Sequence, residues 1–314
     1  MLERDIHLDS SGNRLSGTVC LPSAEGRFAT VLMIHGSGPL DRDQNMKGQR
    51  LDVFNTIAHR LASVNVASVR YDKRGCGKST GNFDETGHLD LVDDAVHWVD
   101  TLRAQDFCDE SRIILLGHSE GCIIAAEVSL KRPAVASLVL LCPFIERAEP
   151  ILIKQAEKIQ KELDEAPGIG GAFQRLLLKL FGQPLASQRK LVEAIKASTT
   201  PTIRIGLRTL PAKWFRELLA LEPREIFAQV KCPMLLVAGE KDMQCDPADA
   251  ARIAEVAQGR IERHVVANLT HILRCDAGPP SLLKTGQLLG RPVEPRVLEL
   301  IARWLERQIQ PRSP

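Results

Sequence analysis

The stretch Arg112-Ile113-Ile114-Leu115-Leu116-Gly117-His118-Ser119-Glu120-Gly121 decides the fold. Its first half is a short apolar run rich in β-branched residues, which predicts a buried strand. The run ends in Gly-x-Ser-x-Gly, and a helix-like sequence follows at once over 122–128. A buried strand that turns directly into a helix, with serine at the corner, is typical of a nucleophile elbow. We therefore predict that Ser119 is a nucleophile.

The spacing of the two glycines around Ser119 has a physical reason. A serine at such a tight corner takes a strained backbone, so the residues two positions away on either side must not carry side chains that clash. The corner also directs the first N–H groups of the helix at the group that the serine attacks. Gly-x-Ser-x-Gly alone arises by chance in roughly one chain in ten of this length. The prediction therefore needs partner residues elsewhere in the chain.

The composition is typical of a soluble globular protein. Of 314 residues, 44% are hydrophobic and 25% are charged, and the net charge is +2. This balance implies neither a nucleic-acid partner nor a membrane partner, and no apolar run is long enough to span a bilayer. The N-terminus lacks the apolar core of a signal peptide, so we expect a cytoplasmic protein. The eight cysteines include no Cys-x-x-Cys pair, and we expect small buried hydrophobes with no disulfide, metal or cofactor.

Apolar strands alternate with amphipathic helices along most of the chain. An antiparallel hairpin is predicted over 3–22, a continuous apolar strand at 28–34, and further strands at 64–69, 112–116, 135–141, 234–238 and 261–266. The rhythm predicts βαβ units and an α/β fold with a doubly wound, mostly parallel sheet. The apolar faces of the first two helices are Leu51, Phe54, Ile57 and Leu61, and then Leu89, Val92, Val96, Val99 and Leu102.

The alternation breaks at Pro143 and resumes at 231. Between these points the sequence shows helical segments only, separated by prolines. We interpret 144–230 as a helical cap inserted into a core formed by 1–143 and 231–314. The apolar residues that mark its four helices are Ile151, Ile159 and Leu163; Phe173, Leu176, Leu177, Leu180 and Phe181; Leu191, Val192 and Ile195; and Trp214, Phe215, Leu218 and Leu219. For Trp214 and Phe215, helix packing is favoured over a roof above an acyl pocket.

A serine nucleophile needs a base, and the base needs a carboxylate that orients it. Among the eight histidines, only His271 lies on a loop directly after a late strand, in the order Ser, Asp, His that suits this elbow. Asp242 and Asp246 both lie near the end of the preceding strand. Asp246 comes before Pro247 and is predicted to cap the next helix. Asp242 has no such structural role, so we prefer it as the acid.

Two backbone N–H groups are needed to stabilise the developing oxyanion. Glu120 follows the nucleophile and is predicted to supply one of them. The loop His35-Gly36-Ser37-Gly38, after the first parallel strand, is predicted to supply the other from Ser37, because its glycines allow close approach to a substrate. We interpret the side chain of Glu120 as a favourable charge in the first turn of a helix, not as a catalyst.

Taken together, these motifs resemble the α/β-hydrolase superfamily. The matching pieces are the His-Gly-Ser-Gly loop, Arg-Tyr-Asp-Lys-Arg-Gly-Cys-Gly-Lys-Ser-Thr-Gly at 70–81, the elbow, Gly-Glu-Lys-Asp at 239–242 and Asn-Leu-Thr-His at 268–271. The set is most similar to cap-bearing bacterial serine esterases of the branch related to prolyl oligopeptidase and dienelactone hydrolase. Two positions depart from that pattern, because Cys122 stands where glycine is usual and Cys245 where valine is frequent.

The resemblance implies a serine hydrolase that cleaves carboxylic esters through an acyl-enzyme. In this reading His271 takes the proton of Ser119 and Asp242 orients the imidazole. A small aminopeptidase, an amidase or an acyltransferase on the same fold is an alternative, and so is a hydrolase-like protein that binds a ligand without turnover. The expected partner is a small-molecule ester, and the sequence leaves the formation of a homo-oligomer open.

Overall fold

A computed structural model describes residues 1–168, 183–206 and 208–309. The eight strands of its main sheet are Leu2–Ser10 (β1), Asn13–Leu21 (β2), Phe28–Ile34 (β3), Ala67–Tyr71 (β4), Cys108–His118 (β5), Ser137–Leu141 (β6), Met234–Gly239 (β9) and Ile261–Val266 (β10). They lie in the order β1-β2-β4-β3-β5-β6-β9-β10. The pairs β1–β2 and β2–β4 are antiparallel, and all the other pairs are parallel. The predicted mostly parallel, doubly wound sheet is confirmed.

Helices cover both faces of this sheet. The α-helices are Val53–Ala62 (α1), His88–Arg103 (α2), Glu120–Lys131 (α3), Ala148–Asp164 (α4), Pro184–Ala197 (α5), Ala212–Ala220 (α6), Pro223–Gln229 (α7), Asp249–Val256 (α8) and Pro295–Ile309 (α9), and the 3₁₀ helices are Phe83–Glu85 and Thr285–Leu288. Helices α1 and α9 pack on one face, and α2, α3 and α8 on the other. In the described ranges, no helix combines the length and the apolar character that crossing a bilayer requires.

The continuous apolar strands follow from this double cover. In β3, Leu32 and Ile34 belong to the hydrophobic cluster on one face, whereas Val31 and Met33 belong to the cluster on the other. Successive side chains of a strand point to opposite faces, so a strand buried on both sides needs apolar residues at every position. The apolar run that predicted β3 therefore shows no alternation because the strand packs against a hydrophobic cluster on each of its two faces.

Four details of the sequence analysis are wrong or incomplete. Strand β4 begins at Ala67 and not at 64, because Asn65 takes a left-handed conformation (φ 61°) that belongs to a turn. Leu89, predicted on the apolar face of α2, is 49% exposed in the first turn of that helix. Leu51 is buried but precedes α1.

The fourth detail concerns the cap. The segment 144–230 is not purely helical, since Ile203–Ile205 (β7) and Arg208–Leu210 (β8) pair as an antiparallel hairpin. The predicted helix marked by Phe173, Leu176, Leu177, Leu180 and Phe181 lies outside the described residues. The division into a core and a cap at 144–230 stays a prediction.

Main chain packs very closely against main chain at the elbow between β5 and α3. Ser119 has φ 54° and ψ −120°, a conformation that is strained for a residue with a side chain. A Cβ on Gly117 would lie 2.2 Å from the carbonyl oxygen of Gly121, and one on Gly121 would lie 2.1 Å from that of Ile34. Real contacts of a Cβ are much longer, so only glycine fits at either position.

Replacing Gly121 by alanine is expected to separate α3 from the end of β3 and to lower the free energy of unfolding by about 3 kcal/mol or more. Gly286→Ala is the matched control, because a Cβ at Gly286 would meet no atom within 4 Å, and we expect a change within about 0.5 kcal/mol. Urea unfolding of the two variants measures both values. Equal stability of the two variants would contradict the close packing at the elbow.

Candidate active site

The residues predicted to catalyse the reaction lie on loops at the carboxyl ends of parallel strands. Ser119 follows β5 directly, Asp242 follows β9, and His271 lies on the loop after β10. Carboxyl ends of parallel strands meet at one edge of a sheet, which is where such folds bind ligands. Ser119 and His271 line the same cavity.

Asp242 and His271 form a buried pair. Nδ1 of His271 lies 2.8 Å from Oδ2 of Asp242, whose other oxygen accepts the N–H groups of Gln244 and Cys245 at 2.8 and 2.9 Å. Burial alone would raise the pKa of Asp242, but attraction to His271 and these hydrogen bonds lower it below its usual value. The carboxylate therefore stays ionised and favours the tautomer of His271 in which Nδ1 carries the proton.

Asp246, the other acid considered, is placed differently. Its Oδ1 accepts the N–H of Ala248 at 2.9 Å, at the start of α8, and its Oδ2 lies 3.1 Å from the guanidinium of Arg252. Helix α8 begins at Asp249, and its N-cap residue is Ala248, not Asp246 as predicted. The side chain of Asp246 nevertheless binds the turn that leads into the helix.

Ser119 shares the cavity with His271 but is not joined to it by a hydrogen bond within the described residues. The buried thiol of Cys245 lines the same cavity, and burial raises its pKa well above the ordinary value, although the hydroxyl of Ser119 acts in the opposite direction. Bonds between a nucleophile and its base are often long in a free enzyme and shorten when substrate binds. The arrangement therefore suits a resting nucleophile.

The two predicted oxyanion donors flank Ser119. In the described part of the chain, neither the N–H of Ser37 nor that of Glu120 has an acceptor. Glu120 is the first residue of α3, where backbone N–H groups have no partner inside the helix. Ser37 lines the cavity, and a Cβ on Gly36 would lie 3.2 Å from that of Ser119. Both amides are thus close to the nucleophile and available to a ligand.

His118 is a residue that the sequence analysis regarded only as part of the elbow motif. Its Nε2 donates to the carbonyl oxygen of His271 at 2.8 Å, and the amide of Gln44 donates to its Nδ1 at 3.2 Å. Burial, together with the neighbouring ring of His271, lowers the pKa of His118 to about 3, so the ring of His118 is neutral and suits both bonds. His118 therefore ties the loop of His271 to the elbow.

The side chain of Glu120 lies in the first turn of α3, as predicted, and it also makes buried contacts that the sequence did not indicate. It is 1% exposed, and its Oε1 accepts from Nδ1 of His88 at 2.9 Å and from Nε1 of Trp214 at 2.7 Å. Nε2 of His88 binds Glu127 at 2.7 Å. Burial alone would lower the pKa of His88, but the two carboxylates raise it to about 9, so the ring is a cation. This network joins α2, α3 and α6.

The cavity has a volume of about 360 Å³, within the usual range for small-molecule sites. Trp214 and Phe215, for which packing was favoured, also line it. Its described lining includes four amide side chains and a larger apolar set: Gln44, Gln49, Gln155 and Gln244, with Leu40, Met46, Leu51, Phe144, Ile151, Leu152, Leu218 and Ile272.

Two groups of side chains at this site have the proximity of metal ligands. Ligand atoms of His118, Cys142 and His271 lie within 4.8 Å of one another, and so do those of Asp242, Cys245 and His271. Both groups include His271, whose Nδ1 is bonded to Asp242. The hydrogen-bond network explains this proximity, and the absence of a metal and of a cofactor stays a prediction.

Comparison with known proteins gives three kinds of similarity. Residues 46–277 match the family model for serine aminopeptidase, S33. Esterase EstD of Thermotoga maritima is 27% identical to this chain over 308 residues, which are 96% of this chain and 67% of EstD.

Solved structures agree on the fold. Est1E from Butyrivibrio proteoclasticus, solved with ferulic acid bound, aligns with a TM-score of 0.61 at 16% identity over 96% of each chain. The α/β hydrolase GrgF from Penicillium sp. sh18 aligns with a TM-score of 0.64 at 16% identity over 98% of this chain and 99% of its own.

The charged state of His88 makes stability depend on pH. Because its folded pKa of about 9 lies above its ordinary value of 6.5, its contribution is complete below about pH 6.5 and is lost as the pH rises through 9. The stability difference between the native chain and His88→Gln should therefore shrink by about 3 kcal/mol between pH 6 and pH 9.5. Urea unfolding of both proteins across this range measures the difference in stability, in which the effects of the other titrating groups cancel. A difference that stays constant would contradict a cationic His88.

Proposed function

The chain belongs to the serine aminopeptidase S33 family of α/β hydrolases, and we propose that it hydrolyses neutral carboxylic esters with Ser119, His271 and Asp242. The observation that carries the proposal is the 2.8 Å bond between His271 and a buried, ionised Asp242, next to a cavity that Ser119 also lines. Nucleophilic catalysis by serine requires a base beside the serine and an acid that orients the base, and these are the groups found here.

The proposed reaction has two stages. Nε2 of His271 takes the proton of Ser119 while Oγ attacks the ester carbonyl carbon, and the N–H groups of Ser37 and Glu120 stabilise the oxyanion. The imidazolium then gives its proton to the leaving alcohol, and an acyl-enzyme remains on Ser119. Water, deprotonated by His271, hydrolyses this intermediate and restores the serine. Asp242 holds the imidazole in the required tautomer throughout.

The lining of the cavity favours a neutral ester over an amino-terminal peptide. An aminopeptidase must bind the ammonium group of its substrate, and burying such a charge against apolar and amide side chains is costly. Most of the described lining consists of such side chains, the rest are glycine, serine, threonine, cysteine and histidine residues, and no carboxylate is among them. The similarity to EstD, an esterase, and to a structure with bound ferulic acid supports the same choice. Aminoacyl p-nitroanilides, which an aminopeptidase would cleave, are therefore the substrates to compare with p-nitrophenyl esters.

Asp242→Asn is expected to lower kcat for p-nitrophenyl butyrate by about 10⁴-fold, because the imidazole would lose its required tautomer. Asp246→Asn is the matched control, since Asp246 binds only the turn before α8 and Arg252, and its kcat should stay within about twofold of the native value. Steady-state kinetics of the two variants and of Ser119→Ala decides the outcome. Equal losses in both aspartate variants, or unchanged ester turnover by Ser119→Ala, would contradict the proposal.

A non-catalytic binding protein is distinguished by labelling. A fluorophosphonate reacts only with an activated serine, so we expect it to modify the native chain at Ser119 and to leave Ser119→Ala unmodified. An unlabelled native chain would favour a ligand-binding role without turnover.

We expect Leu152 to limit the length of the acyl group that the site accepts. A second cavity of about 730 Å³ lies among described residues of the cap and shares Leu152 and Gln155 with the first. Leu152→Ala should open a path between the two and raise kcat/KM for long-chain p-nitrophenyl esters, relative to the acetate, by roughly tenfold. Leu163→Ala, on the same helix but outside both linings, is the control and should leave the preference unchanged. An identical shift in both variants would contradict this role of Leu152.

A further inference from the structure

Lys73 is a buried lysine to which the proposed reaction gives no role. It follows β4, is 2% exposed and donates a 2.6 Å hydrogen bond from Nζ to the carbonyl oxygen of Gly36. Gly36 lies on the loop after the neighbouring strand β3. A buried ammonium group is costly unless its charge and its hydrogen bonds are compensated. The burial of the Lys73 ammonium group against a main-chain carbonyl therefore needs a functional or structural explanation.

That carbonyl belongs to the same peptide group as the N–H of Ser37. The group is planar and trans, so its C=O and its N–H point in opposite directions. A partner that fixes the direction of the carbonyl therefore also fixes the direction of the N–H. Lys73 binds the Gly36 carbonyl from the protein interior, whereas Ser37 lines the cavity that contains Ser119.

The charge of Lys73 acts on the same amide. A cation on the carbonyl oxygen draws electron density from the peptide group and strengthens its N–H as a donor. Burial lowers the pKa of Lys73, and the carboxylate of Glu120 opposes this change. The ring of Phe83, 5.8 Å from Nζ, adds a further favourable contact. Glu120 is also the residue whose own N–H is the second proposed oxyanion donor.

We propose that Lys73 is a positioning residue for the oxyanion hole, which aims the N–H of Ser37 at the substrate and strengthens it as a donor. This role rests on the proposed ester hydrolysis. A purely structural lysine would instead tie the loops after β3 and β4 together, and its loss would affect all substrates alike. Only the positioning role predicts that loss of Lys73 weakens the hydrogen bonding of the oxyanion hole to the carbonyl oxygen of the substrate.

An ester and its thionoester, in which sulfur replaces the carbonyl oxygen, separate these roles. Sulfur is a weak hydrogen-bond acceptor, so the ratio of kcat/KM for the two substrates reports the strength of the oxyanion hole. Lys73→Met keeps the length of the side chain but removes the donor. We expect kcat for the ester to fall, up to the roughly 10²–10³-fold that loss of one donor costs, with KM nearly unchanged. The oxo/thiono ratio should fall at least about tenfold.

Both substrates are measured on the same preparation, so the ratio does not depend on how much of the variant folds. Lys73→Gln provides a second variant with a shorter, neutral donor, and its ratio should lie between those of Lys73→Met and the native chain. Arg74→Met is the control, because Arg74 is the neighbouring buried cation but pairs with Asp94 at 2.7 Å. Its oxo/thiono ratio should equal that of the native chain.

A native ratio in Lys73→Met would overturn the inference, even if the overall activity fell, because the lysine would then be only structural. This result would leave the proposed function intact, since the native chain would still hydrolyse the ester. A native chain that hydrolyses neither substrate and resists a fluorophosphonate would overturn the proposed function and this inference together.

Discussion

The close approach of α3 to the ends of β3 and β5 is the constraint on which the site depends. With no Cβ at Gly117 or Gly121, main chain meets main chain at distances that any other residue would make impossible. This contact holds Ser119 in a conformation that it would otherwise avoid, with φ 54°. It also places the first amide of α3 and the loop after β3 on either side of the serine. Packing at the elbow therefore determines how Ser119 is placed relative to these two segments.

Buried polar contacts then connect the elbow to the elements around it. His118 binds the main chain of His271, and Lys73 binds that of Gly36, so two loops are held by side chains at or beside the elbow. Glu120 binds His88 and Trp214, which connects α3 to α2 and to α6. Both ring nitrogens of His118 make hydrogen bonds, whereas Glu120 uses only Oε1 and its buried Oε2 has no hydrogen-bond partner within the described residues. The site is therefore held from several directions.

The sequence predicted the features that depend on local pattern. Uninterrupted apolar runs gave the parallel strands, and the spacing of glycines gave the elbow, because both follow from backbone geometry that neighbouring residues determine. The hairpin of β7 and β8 was missed because strands of three residues are too short for a periodic signal. Leu89 was misplaced because the first turn of α2 lies at the edge of its buried face.

The parts of the site that the sequence did not predict depend on contacts between distant residues. No spacing indicates that His88, Glu120 and Trp214 meet, or that Lys73 reaches the loop of Gly36. The choice of Asp242 over Asp246 used only local features, namely position relative to a strand and a helix start, and Asp242 as the catalytic acid stays a prediction. Sequence reasoning thus found candidate chemical groups more readily than the residues that hold them.

The structure of the chain after reaction with a phosphonate ester tests the central claim most directly. A phosphonyl group on Oγ of Ser119 carries an oxygen in the position of the oxyanion. The elbow and the loop after β3 predict that this oxygen lies 2.7–3.1 Å from the N–H groups of both Ser37 and Glu120, without rearrangement of either segment. An adduct whose oxygen points away from both amides, or one formed on another residue, would contradict the claim.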